Sequence, residues 1–258
     1  MKQHVRVDPV SQGIVAVVLQ RAERRNALSV EVLRHLCDIV ESLAADEASR
    51  VIILTGDGPD FCAGLDLREA ADPAMAEQSA AGFERALRTL RDSPLVIVTA
   101  VHGGAYAGGA GLIAASDIAV AAEDASIGFP AARRGLLPAL VCPYIQPRVR
   151  DGDLRDLFLS GEPVSGVRAQ QIGLVQRVVP RKHLMEEARS VAEAVIAGGP
   201  QTIRTIKRLF RAPDASGDEI QSAWIAEHLA AYNSKEAREG IAAFLEKRDP
   251  CWTREQTS

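Results

Sequence analysis

Three observations predict an α/β fold for this 258-residue chain. Short, β-branched, continuously apolar runs recur at residues 14–19, 51–55, 95–101, 118–122 and 174–179. Segments with helical spacing lie between them. Hydrophobic residues make up 47% of the chain, enough to bury the core of one large domain or of a core with a small appendage. Strands covered on both faces need an apolar residue at every position, and alternating such strands with helices defines the α/β class.

The first run is Ile14-Val15-Ala16-Val17-Val18-Leu19. Ser29 can then cap a helix in which Leu33, Leu36, Cys37, Val40, Leu43 and Ala44 recur at the spacing of one buried face. The 51–55 run leads into Phe61-Cys62-Ala63-Gly64-Leu65-Asp66-Leu67. Residues 68–80 carry few large apolar groups and a mid-run proline, which predicts a mobile flap rather than a rigid packed element.

The 95–101 run leads into Val101-His102-Gly103-Gly104-Ala105-Tyr106-Ala107-Gly108-Gly109-Ala110-Gly111, which opens directly into a small-residue helix. Beyond Pro180 the pattern turns helical, over 181–197, 201–210 and 218–247, the last two separated by turn residues at 212–217. The last run holds Ile220, Trp224, Ile225, Leu229, Tyr232, Ile241, Phe244 and Leu245. That is more apolar surface than a small appendage leaves in water, so it is expected to be buried against the core or another subunit. The predicted division is a core over 1–190 and a helical region over 191–258. No repeat is regular enough for a solenoid.

The net charge of -4 and the lack of any lysine between Lys2 and Lys182 leave no electrostatic footprint for nucleic acid. No apolar run reaches the roughly 18 residues of a membrane span, and residues 1–9 do not form a signal-peptide core, so a cytoplasmic location without membrane insertion is expected. Cys37, Cys62, Cys142 and Cys251 are scattered without a C-x-x-C pair. This disfavours a zinc site and a disulfide framework, and no metal is expected. No G-x-S-x-G elbow is present.

Each glycine-containing stretch follows a strand-like run, and a helix start leaves backbone N–H groups pointing outward. Two such donors converging on one oxygen would stabilise an enolate. The pair resembles the oxyanion-hole loops of the crotonase, or enoyl-CoA hydratase/isomerase, superfamily, and the resemblance covers nearly the whole chain. Leu19 to Leu28 is similar to the family's early element, which normally has proline where Ala22 stands. Ser116 to Ala121, Gly128-Phe129-Pro130, Gly135-Leu136-Leu137-Pro138, Ala169 to Val175 and Ala243 to Arg248 then fall in family order.

This resemblance implies a crotonase-type spiral of ββα units with a C-terminal helical oligomerisation region, assembled as a homotrimer or a hexamer (dimer of trimers). It implies an acyl-CoA thioester as ligand, with coenzyme A present only as part of the substrate and no separate cofactor. Motif by motif, it assigns the oxyanion donors to the backbone N–H groups of Leu65 and Gly108. It places Ala27, Ala63, Asp66 and Leu67 along the coenzyme path, with Arg25 and, from a neighbouring subunit, Lys247 or Arg248 near the phosphates. Cations suit phosphate oxygens because they neutralise charge and donate several hydrogen bonds.

Hydratases of the family carry two glutamates that hold the water to be added. The matching positions here are Gly111 and Ala131, neither of which can transfer a proton. The run from Ile127 to Tyr144 most resembles the methylglutaconyl-CoA hydratase branch, which keeps the second glutamate. No aspartate stands near Pro138-Ala139 for a dehalogenase-like mechanism, and Tyr144 lies too late for a decarboxylase-like tyrosine. Asp66, Glu69 and Glu84 are the substitute bases to consider, the first read as a cap and the others as solvated charges. His102 reads as structural and Cys62 as an inert buried thiol. The expected function is acyl-CoA binding with enolate stabilisation by a lyase or isomerase of non-standard chemistry, such as isomerisation, decarboxylation or C–C bond change. The alternative is a non-catalytic acyl-CoA binding or delivery protein.

Overall fold

The computed structural model describes residues 4–210 and 217–253. It opens with an antiparallel hairpin of β1 (Val5–Ser11) and β2 (Ile14–Leu19), turned at Gly13, whose φ of 74° suits a residue without Cβ. Helix α1 (Val30–Ala45) starts at Ser29, whose side chain accepts from the Val32 N–H, and it buries Leu33, Leu36, Cys37 and Val40 as its spacing predicts. Next come β3 (Val51–Gly56), α2 (Leu67–Ala70), α3 (Pro73–Asp92), β4 (Val96–Val101), β5 (Gly104–Tyr106), α4 (Gly108–Ala115), β6 (Ile118–Ala122) and β7 (Ser126–Gly128). The chain continues through α5 (Cys142–Ile145), α6 (Asp151–Ser160), β8 (Val164–Ser165), α7 (Gly166–Gln171) and β9 (Arg177–Val179). Four helices follow, α8 (Leu184–Ile196), α9 (Pro200–Leu209), α10 (Gly217–Tyr232) and α11 (Lys235–Glu246).

The strands make two sheets. One has the order β1-β2-β3-β4-β6-β9, parallel at every pair after the first hairpin; the other is β5-β7-β8. The chain thus winds past both sheets, leaving β4 for β5 and β6 for β7. Every residue of β3 and β4 is buried, as continuous apolar runs require. One face of the larger sheet packs with α1, α3 and α4 into the main core, and α8 covers the other face through Leu184, Ala188, Val191 and Ala192. Residue 190 lies inside α8.

The 68–80 segment, expected as a mobile flap, carries most of α2 and the start of α3, joined through residues 71–72. Pro73 occupies the start of α3, where a missing N–H loses no helical bond, and the Asp72 side chain accepts from the Ala74 N–H. Farther along, Phe83, Ala86, Leu87 and Leu90 give this helix a buried face. The 218–247 run is two helices rather than one, because Ser234 leaves helical geometry to accept from the Ala237 N–H and start α11. Only Arg177–Val179 of the 174–179 run is a strand; Leu174 and Val175 are buried just before it, after Gly173 at φ 90°. The turn residues 212–216 lie outside the described residues, as do the side chains of Ile220 and Trp224.

Lys207 ties the helical region to the core. Its buried ammonium donates to the Leu95 carbonyl at 2.6 Å and to the Asp117 carboxylate at 2.6 Å. Arg50 adds a hydrogen bond of 2.9 Å to the Ile196 carbonyl. Yet Ile225, Leu229, Tyr232, Ile241, Phe244 and Leu245 remain exposed, Phe244 to 81%. The chain's own core does not cover this apolar surface.

Candidate active site

Both glycine loops meet at the end of the larger sheet. Cys62 donates to the Gly104 carbonyl at 3.1 Å and accepts from the Tyr106 N–H at 2.9 Å, which fastens one loop along the other. On its other side, Leu28 donates to the Gly64 carbonyl at 2.8 Å and accepts from the Asp66 N–H at 3.0 Å. Both bonds go to the neighbours of Leu65, so in this parallel bridge the Leu65 N–H points away from Leu28. Gly108 begins α4, where an N–H has no partner within the helix. Among the described residues, neither N–H makes a hydrogen bond.

The two donors are also close. A Cβ added to Gly108 would lie 3.3 Å from the Leu65 nitrogen, and one added to Gly64 would lie 2.9 Å from the Gly108 nitrogen. Ala107, just before the second donor, is held at φ 48° and ψ -107°, a conformation that L residues rarely adopt. Its N–H donates to the Gly128 carbonyl at 2.8 Å and its carbonyl accepts from the Gly111 N–H at 2.9 Å. This strained residue sets the plane of the peptide carrying the Gly108 N–H, the setting in which backbone strain accompanies function.

Arg25 is engaged within the chain. Its guanidinium donates to Asp60 at 2.6 Å and lies 5.5 Å from the centre of the Tyr106 ring. The hydrogen bond from Arg25 holds the Asp60 carboxyl below the usual range, and Asp60 also accepts from the Gly104 N–H at 2.7 Å. Asp60 therefore joins Arg25 to the second glycine loop. Asn26, buried at φ 54°, donates to the carbonyls of Asp57 and Asp60 at 2.9 and 2.8 Å. Ala63 donates to the Arg25 carbonyl at 2.9 Å, and the Ala27 carbonyl accepts from Arg21 at 3.1 Å, so both residues sit in the same cradle. Leu67 is 51% exposed at the start of α2, and Lys247 is exposed at the end of α11, where it adopts φ 54°.

Gly111 and Ala131, the positions that the family resemblance matches to the hydratase glutamates, differ in their surroundings. A Cβ on Gly111 would lie 2.6 Å from Val141 Cγ1 and 3.0 Å from Phe83 Cζ, so apolar side chains fill that space. The Phe83 ring also comes within 3.2 Å of a Cβ on Gly108 and thus spans both helix positions. Ala131 is partly exposed at the head of the turn at 132–134, and its carbonyl accepts from the N–H groups of Arg134 and Leu136. Sequence reasoning misses both Phe83 and Val141. The spacing of Phe83, Ala86, Leu87 and Leu90 is the available signal for the first.

The substitute bases are occupied. Burial opposes ionisation of Asp66, but hydrogen bonds from Arg21 at 2.7 Å and the Arg68 N–H at 3.1 Å prevail and hold its carboxyl below the usual range. It is a cap and an ion-pair partner. Glu69 is no solvated charge: it accepts from the Val30 N–H at 2.7 Å and so caps α1. Glu84 pairs with Arg88 at 3.7 Å on the surface of α3. Burial lowers the pKa of His102, whose ring lies 3.0 Å from the Gly58 carbonyl oxygen. Tyr144 is buried with the Arg91 guanidinium 5.1 Å from its ring centre.

Burial pushes the Cys62 thiol up to about 12, and its Sγ donates to the Asn26 carbonyl at 3.2 Å. Only the thiolate is nucleophilic, so Cys62 is expected to resist a thiol reagent at about pH 8 in the folded protein while exposed Cys251 reacts. Peptide mass mapping after a short native labelling reads this, and Cys62 labelling at the rate of Cys251 would contradict it. Among the described residues no cluster of His, Cys, Asp or Glu could hold a metal, and no helix is long and apolar enough to cross a membrane.

Fold and site together define an α/β protein with two converging backbone donors, neither of them paired among the described residues. Residues 10–255 match the Enoyl-CoA hydratase/isomerase family, and the chain belongs to that family. A Thermus thermophilus protein provisionally named as an enoyl-CoA hydratase is 36% identical, over 93% of this chain and 98% of its own length. The carnitinyl-CoA dehydratase of Salmonella typhimurium is 32% identical, over 93% of this chain and 94% of its own length. The crystal structure of a Mycobacterium smegmatis enoyl-CoA hydratase superposes with a TM-score of 0.93 at 30% identity, covering 98% of this chain and 100% of that one.

Proposed function

We propose that the protein binds an acyl-CoA thioester with its carbonyl oxygen between the N–H groups of Leu65 and Gly108, and that this pair stabilises an enolate. The observation that carries the reading is the approach of these two donors, each without a hydrogen-bond partner among the described residues. Donors aimed at a developing oxyanion are worth about 10²- to 10³-fold in rate each. The carbonyl stretch of a bound ¹³C-labelled thioester is expected to shift to lower frequency than in water. An unshifted band would remove the oxyanion assignment.

Ordinary hydration is not the reaction proposed, because Gly111 and Ala131 supply no acid or base. A lyase or isomerase step in which the substrate, or a group brought by a partner subunit, moves the proton fits the site. The engagement of Asp66, Glu69 and His102 in structural bonds favours a second reading, a non-catalytic acyl-CoA binder or delivery protein. Incubating butyryl-CoA with the protein in D₂O separates the two. Deuterium entering the α position supports enolate formation, and its absence with the thioester bound supports the binder.

The exposed apolar face of α10 and α11 supports assembly into a trimer or a dimer of trimers, with Lys247 of one subunit reaching the coenzyme of the next. A mass of three or six chains by light scattering at micromolar concentration is expected, whereas a monomer would contradict it. The proposed location is the cytoplasm.

A further inference from the structure

Ser79 Oγ is a buried side-chain polar atom with no hydrogen-bond partner among the described residues, and Ser79 itself is only 1% exposed. A serine inside a helix ordinarily bonds back to a carbonyl one turn earlier. This one does not, and an unpaired buried hydroxyl is unfavourable enough to call for a physical reason.

Its position in the fold supplies one. Ser79 stands one turn before Phe83 on the same side of α3, and the Phe83 ring packs against both Gly108 and Gly111. Leu33 of α1 lies against Gly82, and farther along both helices Arg85 donates to Glu41 at 3.0 Å, so α1 and α3 run side by side in the same direction. A move of about 4.5 Å toward the start of each helix brings Ser79 level with Val30. Val30 is capped by Glu69, and Leu28, just before α1, is bridged to Leu65. Ser79 is therefore level with the first oxyanion donor, one turn from the ring that packs against the second.

We propose that the Ser79 hydroxyl is a specificity contact for a neutral oxygen on the acyl chain of the bound thioester. This rests on the acyl-CoA reading above. A hydroxyl both donates and accepts, so it can pair with a hydroxyl or oxo group of the ligand. The rest of this side of α3 is apolar, formed by Phe83, Ala86, Leu87 and Leu90. By helical spacing Glu77, Glu84, Arg85, Arg88 and Arg91 all fall on the opposite side, so no cation of this helix stands beside Ser79 to receive a carboxylate.

The test compares butyryl-CoA with 3-hydroxybutyryl-CoA and 4-hydroxybutyryl-CoA by titration calorimetry, using the wild type and Ser79→Ala, together with thermal melting of both proteins without ligand. The wild type is expected to favour one hydroxylated ligand over butyryl-CoA by about tenfold, and Ser79→Ala to bring that ratio near one. The variant is expected to melt at the same or a higher temperature, since it loses an unpaired polar group. Equal affinities in the wild type, or a preference that survives Ser79→Ala, would overturn the proposal. So would a clear drop in melting temperature with the preference intact, which would mark a structural hydroxyl. If none of the three thioesters binds, the acyl-CoA reading itself fails.

Discussion

Gly109→Ala is expected to cost about 3 kcal/mol or more of stability, at the upper end for overpacking one methyl group. A Cβ at Gly109 would overlap the Cys62 carbonyl oxygen and lie 2.9 Å from Cys62 Cβ. Small clashes in a core are relieved by shifting a side chain, but this one is with backbone. The Cys62 backbone cannot retreat, because its N–H and carbonyl are both bonded to the second loop, at Gly104 and Tyr106. Relief would have to part the two loops, and the Leu65 and Gly108 donors would separate with them. Gly152→Ala is the matching control, since a Cβ there meets nothing within 4 Å, and a gain of about 0.4–1 kcal/mol is expected. Urea unfolding of both variants reads the contrast. If Gly109→Ala unfolds with the wild type, the loops are not packed as described.

The parts of the fold legible in the sequence are those whose cause is local. The runs of β3 and β4 are apolar throughout because both faces are covered, and α1 shows its face and its Ser29 cap within a single window. β1 escapes such a reading because it alternates buried and less buried residues around Pro9, and β5, β7 and β8 because two or three residues are too few to show a period. Pro73 misleads because the same residue ends one helix and begins another, and only the Asp72 cap decides between them.

The site divides in the same way. The Gly108 donor follows from a glycine stretch opening a helix, and that Gly111 and Ala131 carry no carboxylate is plain from the letters. What holds the donors in place depends on residues far apart in sequence. Arg25 with Asp60, Glu69 with the start of α1, and Val141 against Gly111 are pairings that only the folded chain makes. The strain at Ala107 is invisible for a further reason, since alanine has no preference for the conformation it is forced to take.

Hydration of crotonyl-CoA by the wild type is expected to be absent or very slow, and Ala131→Glu is expected to raise it on the order of 10²-fold, within the span attributed to one acid/base group. On the proposed reading the Leu65 and Gly108 donors need no repair, so the deficit would lie in proton transfer, and the gain is expected in kcat rather than in ligand affinity. Only one of the two hydratase positions can accept a carboxylate. At Gly111 the Cβ alone would crowd Val141 and Phe83, and a glutamate there would also bring a charge into an apolar wall, so Gly111→Glu is expected to destabilise the protein without rescuing it. At Ala131 the chain is partly exposed and in ordinary helical geometry, with φ -59° and ψ -48°, and a longer side chain fits without moving backbone. Steady-state kinetics with direct substrate titration distinguishes these outcomes. A wild-type rate of about 10 per second or more, usual for an enzyme, would mean that a base other than Asp66, Glu69 and Glu84 serves the site, and the inference from Gly111 and Ala131 would fall.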